Sequence, residues 1–188
     1  MARRNAHQLG GVAPVSVAAG ATLRLFAAAL AAKAVVEIGT GCGVSGIWLL
    51  RGMRPDGVLT SVDVDPENQR LAREVFVHAG FASNRYRLIG GKASDVLPRL
   101  TDRAYDLVFC DADQHEYPEY LTAALRLLRP GGGLVFANAL LIGAADASRT
   151  DAEAAAVREV CELVRADERL DPALIPVGSG LLAAVKRA

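Results

Sequence analysis

Apolar positions recur along the chain with two different spacings. In Ala18 to Ala32, Leu23, Phe26 and Leu30 repeat three and four residues apart, which predicts a helix. Ala34 to Ile38 is a short apolar run stopped by Gly39-Thr40-Gly41-Cys42-Gly43, the pattern of a buried strand running into a turn. A helix is expected from Val44 to about Met53, then a turn at Pro55-Asp56-Gly57 and a strand from Val58 to Val62. Asp65 followed by Pro66 is a helix start, and Gly80 is its stop. Arg85 to Ile89 predicts a strand, Ser94 to Leu100 a short helix, and Asp106 to Cys110 a strand. Tyr117 to Leu128 predicts a helix ended by Arg129-Pro130-Gly131-Gly132-Gly133, with a strand from Leu134 to Ala137 beyond it. Thr150 and Glu153 have capping-box spacing ahead of a helix whose buried side is Val157, Val160, Cys161 and Val164. The last two predicted strands, Ala173 to Val177 and Leu181 to Lys186, are joined by Gly178-Ser179-Gly180 and must pair antiparallel.

Strands alternating with helices, and strands apolar on both sides, describe a parallel sheet covered on both faces. The expected fold class is therefore α/β, doubly wound and mostly parallel, with an antiparallel hairpin at the C-terminal end. Residues 1–188 read as one domain, with 1–14 a flexible or lid segment.

Composition narrows the function. Lys and Arg total 21, Asp and Glu also 21, so there is no basic excess to neutralise nucleic-acid phosphates or an anionic membrane. Cys42, Cys110 and Cys161 are scattered among apolar neighbours and are expected as small core residues of a reducing compartment. The start is basic, and Asn5 to Leu23 carries no Asp, Glu, Lys or Arg, a pattern shared with secretory signals. Gly10, Gly11, Pro14 and Gly20 interrupt it, so the expected location is cytoplasmic.

The strongest motif is Glu37-Ile38-Gly39-Thr40-Gly41-Cys42-Gly43-Val44-Ser45-Gly46. Glycines let backbone approach a ligand closely, and the following helix start offers free N–H groups. Gly41-x-Gly43-x-x-Gly46 matches a dinucleotide fingerprint. Read from Glu37, the same stretch is an acid followed by three glycines in alternation, which resembles motif I of class I S-adenosylmethionine (SAM) methyltransferases. A carboxylate at the end of a buried strand needs a donor. Pyrophosphate would repel Glu37, whereas a sulfonium carrying an ammonium group would not. Beyond the second strand, Asp65 serves as the helix cap, which leaves Asp63 to accept ribose hydroxyls.

With this loop, Asp63-Val64-Asp65-Pro66, Phe109-Cys110-Asp111 and Leu128-Arg129-Pro130-Gly131-Gly132 in order, the chain resembles the cation-dependent SAM O-methyltransferases of the catechol and caffeoyl-coenzyme A type, in a small bacterial form. The resemblance spans roughly residues 13 to 188 and implies a Rossmann-like sheet, a small-molecule acceptor and a homodimer. It puts cofactor contacts on Val15, Glu37, Gly39, Thr40, Ser45, Asp63, Ala93 and Asp111, with Gly41 in the same loop. Ala93 would lie by the adenine and Val15 by the methionine end. The segment before Val15 is shorter than the family's helical extension, so the acceptor pocket is expected to be open or completed by a partner subunit.

The family also holds a divalent metal with an Asp after the fourth strand and an Asp-Asn pair after the fifth, and a Lys takes the proton. Here Asp111 and Asn138 remain, but Ala137 stands at the second carboxylate and Gln114 at the Lys. One carboxylate and one amide are a poor cage for Mg²⁺, and Gln is not a base. His115 beside Asp113 is the substitute candidate, since histidine is the side chain suited to proton transfer near neutrality. Three functions are open on this reading: an O-methyltransferase with an atypical or lost metal site, a SAM-binding homologue without transfer, and a nicotinamide oxidoreductase. Glu37 and the lack of a second catalytic segment disfavour the last.

Overall fold

A computed structural model describes residues 14–140 and 152–188. Seven strands form one sheet in the order β3-β2-β1-β4-β5-β7-β6. They are β1 Ala34–Ile38, β2 Val58–Asp63, β3 Tyr86–Gly90, β4 Tyr105–Cys110, β5 Leu128–Phe136, β6 Leu170–Ile175 and β7 Leu181–Lys186. The pairs from β3 through β5 are parallel, and β7 runs antiparallel to both β5 and β6. This is the expected mixed sheet. Strand order reverses at β1, which lies between β2 and β4, and this is where an open α/β sheet leaves a crevice.

The helices are α1 Val17–Ala29, α2 Val44–Gly52, α3 Pro66–His78, the short α4 Ala93–Val96, α5 Tyr117–Leu127 and α6 Ala152–Ala166. Alternate residues of each central strand feed two cores. Val35, Leu107, Phe109 and Val135 pack with α1, α2 and α3, while Val36, Ile38, Val108 and Phe136 pack with α5 and α6. Strands buried on both sides have no polar face, which is why their sequence shows no alternation. Helix α1 is capped by Ser16, whose Oγ accepts from the Ala19 amide at 3.1 Å. It lies so close to α2 that a Cβ on Gly20 would come within 2.2 Å of the Trp48 indole nitrogen.

Three expectations need correction. The Arg129–Gly133 stretch is not a stop between helix and strand but part of β5. Tyr105 pairs with Leu128 and Leu107 with Gly133, so β5 bulges outward there. Arg129 Nε reaches Asp106 Oδ1 at 2.6 Å, and the other oxygen of Asp106 accepts the Lys33 and Ala34 amides, tying the bulge to the start of β1. Strand β6 begins at Leu170 and ends at Ile175, because Leu170 still pairs with Lys186. Cys161 is only half-buried, at the edge of the core, unlike Cys42 and Cys110. Thr150 of the expected capping box lies outside the described residues. No helix among the described residues is long and apolar enough to cross a membrane.

Candidate active site

A cavity of about 570 Å³ opens over the carboxyl ends of β1, β2 and β4. Of the expected contacts, Val15, Gly39, Thr40, Gly41, Ser45, Asp63, Ala93 and Asp111 all line it. The loop after β1 meets the loop after β4 almost at contact. Gly39 has φ +95°, and a Cβ there would stand 2.2 Å from the Asp111 carbonyl oxygen. Glycine is required by both dihedral and space.

Asp63, at the end of β2, faces the glycine loop. Its Oδ2 accepts from the Gly41 amide at 2.9 Å and its Oδ1 from the Asp65 amide at 2.9 Å. Asn68, one turn into α3, approaches both oxygens at 3.3 Å. Asp65 instead accepts the Glu67 amide at 2.8 Å and caps α3, so the two acids divide their tasks as the sequence suggested.

Glu37 does not line the cavity; it is fully buried behind it. Ser61 Oγ donates to its Oε2 at 2.6 Å, and Ser45 also favours its ionised form, yet Oε1 has no hydrogen-bond partner. Burial outweighs these donors and pushes the carboxyl up from 4.5 to about 7, with Asp111 and Asp63 adding repulsion. Asp111, likewise desolvated, rises to about 6.

The metal candidates do meet, but not as a cage. Asn138 Nδ2 donates to Asp111 Oδ1 at 3.0 Å, and Asn138 Oδ1 accepts from Ser179 Oγ at 2.7 Å. The amide therefore turns its donor, not its oxygen, toward the carboxylate. Ala137 is buried among Val135, Leu181 and Ala183 and brings no oxygen from its side chain. Its carbonyl accepts from the Tyr117 hydroxyl at 3.2 Å. Among the described residues no group of three His, Cys, Asp or Glu side chains converges. These donors do not fit a divalent cation, which needs several oxygens directed at one point.

Neither Gln114 nor His115 lines the cavity; Asp113 and Glu116 on either side of them do. His115 Nδ1 lies 2.9 Å from Asp113 Oδ1, and the His115 side chain is about half exposed. The lining also includes Lys92, Asn68 and Tyr120, which sequence reading did not select. Tyr120 donates to Glu116 Oε2 at 2.6 Å. Buried Gln69 was missed as well, although a signal existed. It is the one polar residue on a face of α3 that otherwise buries Leu71, Ala72, Val75 and Phe76.

Similar proteins agree with this geometry. The O-methyltransferase family model matches residues 1–187. A protein of Mycobacterium sp. (strain JLS), whose name carries O-methyltransferase as a provisional designation, is 53% identical over 98% of this chain and 84% of its own length. The solved O-methyltransferase TomG from Streptomyces achromogenes, in complex with SAM, is 31% identical with a TM-score of 0.90, covering 100% of this chain and 88% of its own. The O-methyltransferase from Bacillus cereus in complex with S-adenosylhomocysteine (SAH) is 28% identical with a TM-score of 0.88, covering 99% and 90%. The chain belongs to the O-methyltransferase family.

Proposed function

We propose that the chain moves the methyl group of SAM to an oxygen of a small phenol- or catechol-like acceptor, without a tightly held metal ion. The observation that carries this reading is the crevice itself: a glycine loop backed by a buried acid with an orphaned oxygen, and Asp63 beside it. An orphaned buried carboxylate oxygen is costly until a cationic donor meets it. SAM, when bound, supplies an electrophilic methyl on a sulfonium and an ammonium group.

The residues then have distinct tasks. Asp63 would accept the ribose hydroxyls, and Val15, Gly39, Thr40, Gly41 and Ser45 would enclose the methionine end. Ala93 would border the adenine. Asp111 would face the sulfonium side, its charge held by the Asn138 amide. Methyl transfer needs the acceptor oxygen in line with the methyl, and fixing that geometry lowers the barrier by several kcal/mol without a dedicated base. Gln114 cannot accept the proton, so an acidic or already ionised phenol is the acceptor this site suits. His115, held by Asp113, is the substitute that the sequence offers, and it lies outside the cavity lining. The chain is further proposed to act in the cytoplasm as a homodimer.

The test is turnover of labelled SAM on a panel of catechols and monophenols, with and without EDTA. Methylation that survives excess EDTA supports the proposal. Inhibition by EDTA with rescue by Mg²⁺ would overturn its metal-free form. Binding without turnover on any acceptor would favour the second reading, a SAM-binding homologue, which Gln114 in place of a base already motivates. A thermal shift larger with NAD than with SAM would reinstate the dinucleotide reading.

A further inference from the structure

Asp111 enters the cavity with one of its oxygens already held. Asn138 Nδ2 donates to Oδ1 at 3.0 Å, and Asn138 is not part of the cavity wall, so this bond is made from behind. The amide is itself fixed. Its oxygen accepts from Ser179 Oγ at 2.7 Å, and its backbone has φ +62°, a left-handed conformation that asparagine tolerates. Asp111 Oδ2 has no hydrogen-bond partner among the described residues and, unlike Glu37 Oε1, is not sealed from the surface. A carboxylate oxygen only accepts, so Oδ2 needs a donor from whatever fills the cavity. Exclusion of water on binding strengthens that bond.

No neighbour competes for that donor. A divalent cation in front of Oδ2 would need further oxygens, but Ala137 has none in its side chain and Asn138 turns its nitrogen forward. Glu37, Cys110 and Tyr117 face Asp111 electrostatically from β1, β4 and α5; all three are buried and none lines the cavity. Asp63 lines it from β2, but both its oxygens accept backbone amides. Asp113 and Glu116 stand further along the loop, one accepting from the His115 amide and the other from Tyr120, and the Asp113 side chain is 58% exposed. Asp111 instead sits at the seam where the loops after β1 and β4 meet, with Gly39 packed against its carbonyl oxygen.

We propose that Asp111 is the catalytic base: its Oδ2 accepts the hydrogen bond of the acceptor's hydroxyl and takes that proton as the methyl group moves. The acceptor oxygen forms its bond to the methyl carbon while the bond from that carbon to the sulfonium breaks, its electron pair returning to sulfur. The hydroxyl proton passes to Oδ2, so the products are the methyl ether, neutral SAH and a neutral carboxyl, which returns its proton to water when the site opens. The inference rests on the SAM-dependent, metal-free reading of the crevice. It widens the acceptors from acidic phenols to those that arrive protonated, and one hydroxyl suffices, with no second, vicinal oxygen.

Methylation of phenol and of 4-nitrophenol by the full chain, at about pH 8.5 with excess EDTA, tests it. Phenol arrives protonated at that pH and 4-nitrophenol arrives ionised. For Asp111→Asn, kcat on phenol should fall by about 100-fold or more, the scale of a lost general base, while on 4-nitrophenol it changes by less than about fivefold. SAH affinity in calorimetry should be retained, which separates a lost base from a lost fold. If Asp111→Asn does not fold, Asp111→Ala serves: added formate should restore turnover of phenol and leave that of 4-nitrophenol unchanged. Equal losses on the two phenols, no loss on phenol, or no selective rescue would overturn the proposal. Wild-type turnover that EDTA abolishes and Mg²⁺ restores would put a cation at Asp111 and overturn it as well. Wild-type protein that binds SAH yet methylates neither phenol fails the reading beneath the inference and takes the inference with it.

Discussion

Replacing Glu37 by Gln should remove from the ligand-free protein the loss of stability with rising pH that this carboxyl contributes. The carboxyl is fully buried and is raised from 4.5 to about 7. Folding therefore favours its protonated form. Stability from this group is fully present below pH 4.5, declines between 4.5 and about 7, and is gone above that. The rise is worth about 3 kcal/mol, or roughly 6–12 °C in Tm for a chain of this size. Gln does not titrate, so the slope due to this position vanishes. The absolute gain at pH 8 will be smaller, because Ser61 forces the amide oxygen to the Oε2 position and leaves an N–H without an acceptor, at about 1–3 kcal/mol. The slope, not the offset, is the diagnostic quantity. Asp111, raised to about 6, contributes a slope of the same sign in both proteins, shifted in the variant by the loss of its repulsion with Glu37. Urea or thermal unfolding of both proteins from pH 5 to 8.5, without ligand, makes the measurement. A wild-type-minus-variant difference that is flat across that range would refute the buried, raised carboxyl.

Two further substitutions probe the rest of the site. Asp63→Ala should weaken SAH binding by roughly 10-fold to 150-fold in calorimetry, the loss of about 1.5–3 kcal/mol of charge-assisted hydrogen bonding. Equal affinities would mean that Asp63 only braces Gly41 and Asp65. Ala137→Asp should cost about 3 kcal/mol or more without metal, because it buries a second carboxylate near Asp111 in an apolar setting. Tm should recover as Mg²⁺ or Ca²⁺ is added, and a Tm indifferent to both ions would show that residue 137 does not face Asp111.

The sheet and its helices were legible because each strand is bounded by its own punctuation. Glycines stop β1, and Asp65-Pro66 opens α3, so local chemistry sets those boundaries. The β5 bulge was not legible, since Pro and Gly signal a turn whether or not a neighbouring strand still pairs around it. In the site, Glu37, Gly39 and Asp63 stood out because an acid or glycine at a strand end is conspicuous against apolar neighbours. Gln69 did not, because its partners, a carbonyl on β3 and a hydroxyl on the loop after β1, are both remote in sequence. Nor could the sequence show that Asn138 turns its nitrogen toward Asp111 and its oxygen toward Ser179; both partners are remote in sequence, Ser179 by 41 residues.

The contact between Gly20 and Trp48 gives the protein a built-in optical reporter. Trp48 is the only tryptophan in the chain, so intrinsic indole emission has one origin. That ring rests on α1, whose N-terminal cap, Ser16, directly follows Pro14 and Val15 in the wall of the cavity. A tightening of this entry segment around a ligand would reach the ring's surroundings through a contact with no side chain in between. Ligand binding is therefore expected to change indole emission, which stopped-flow fluorescence on unlabelled protein would read.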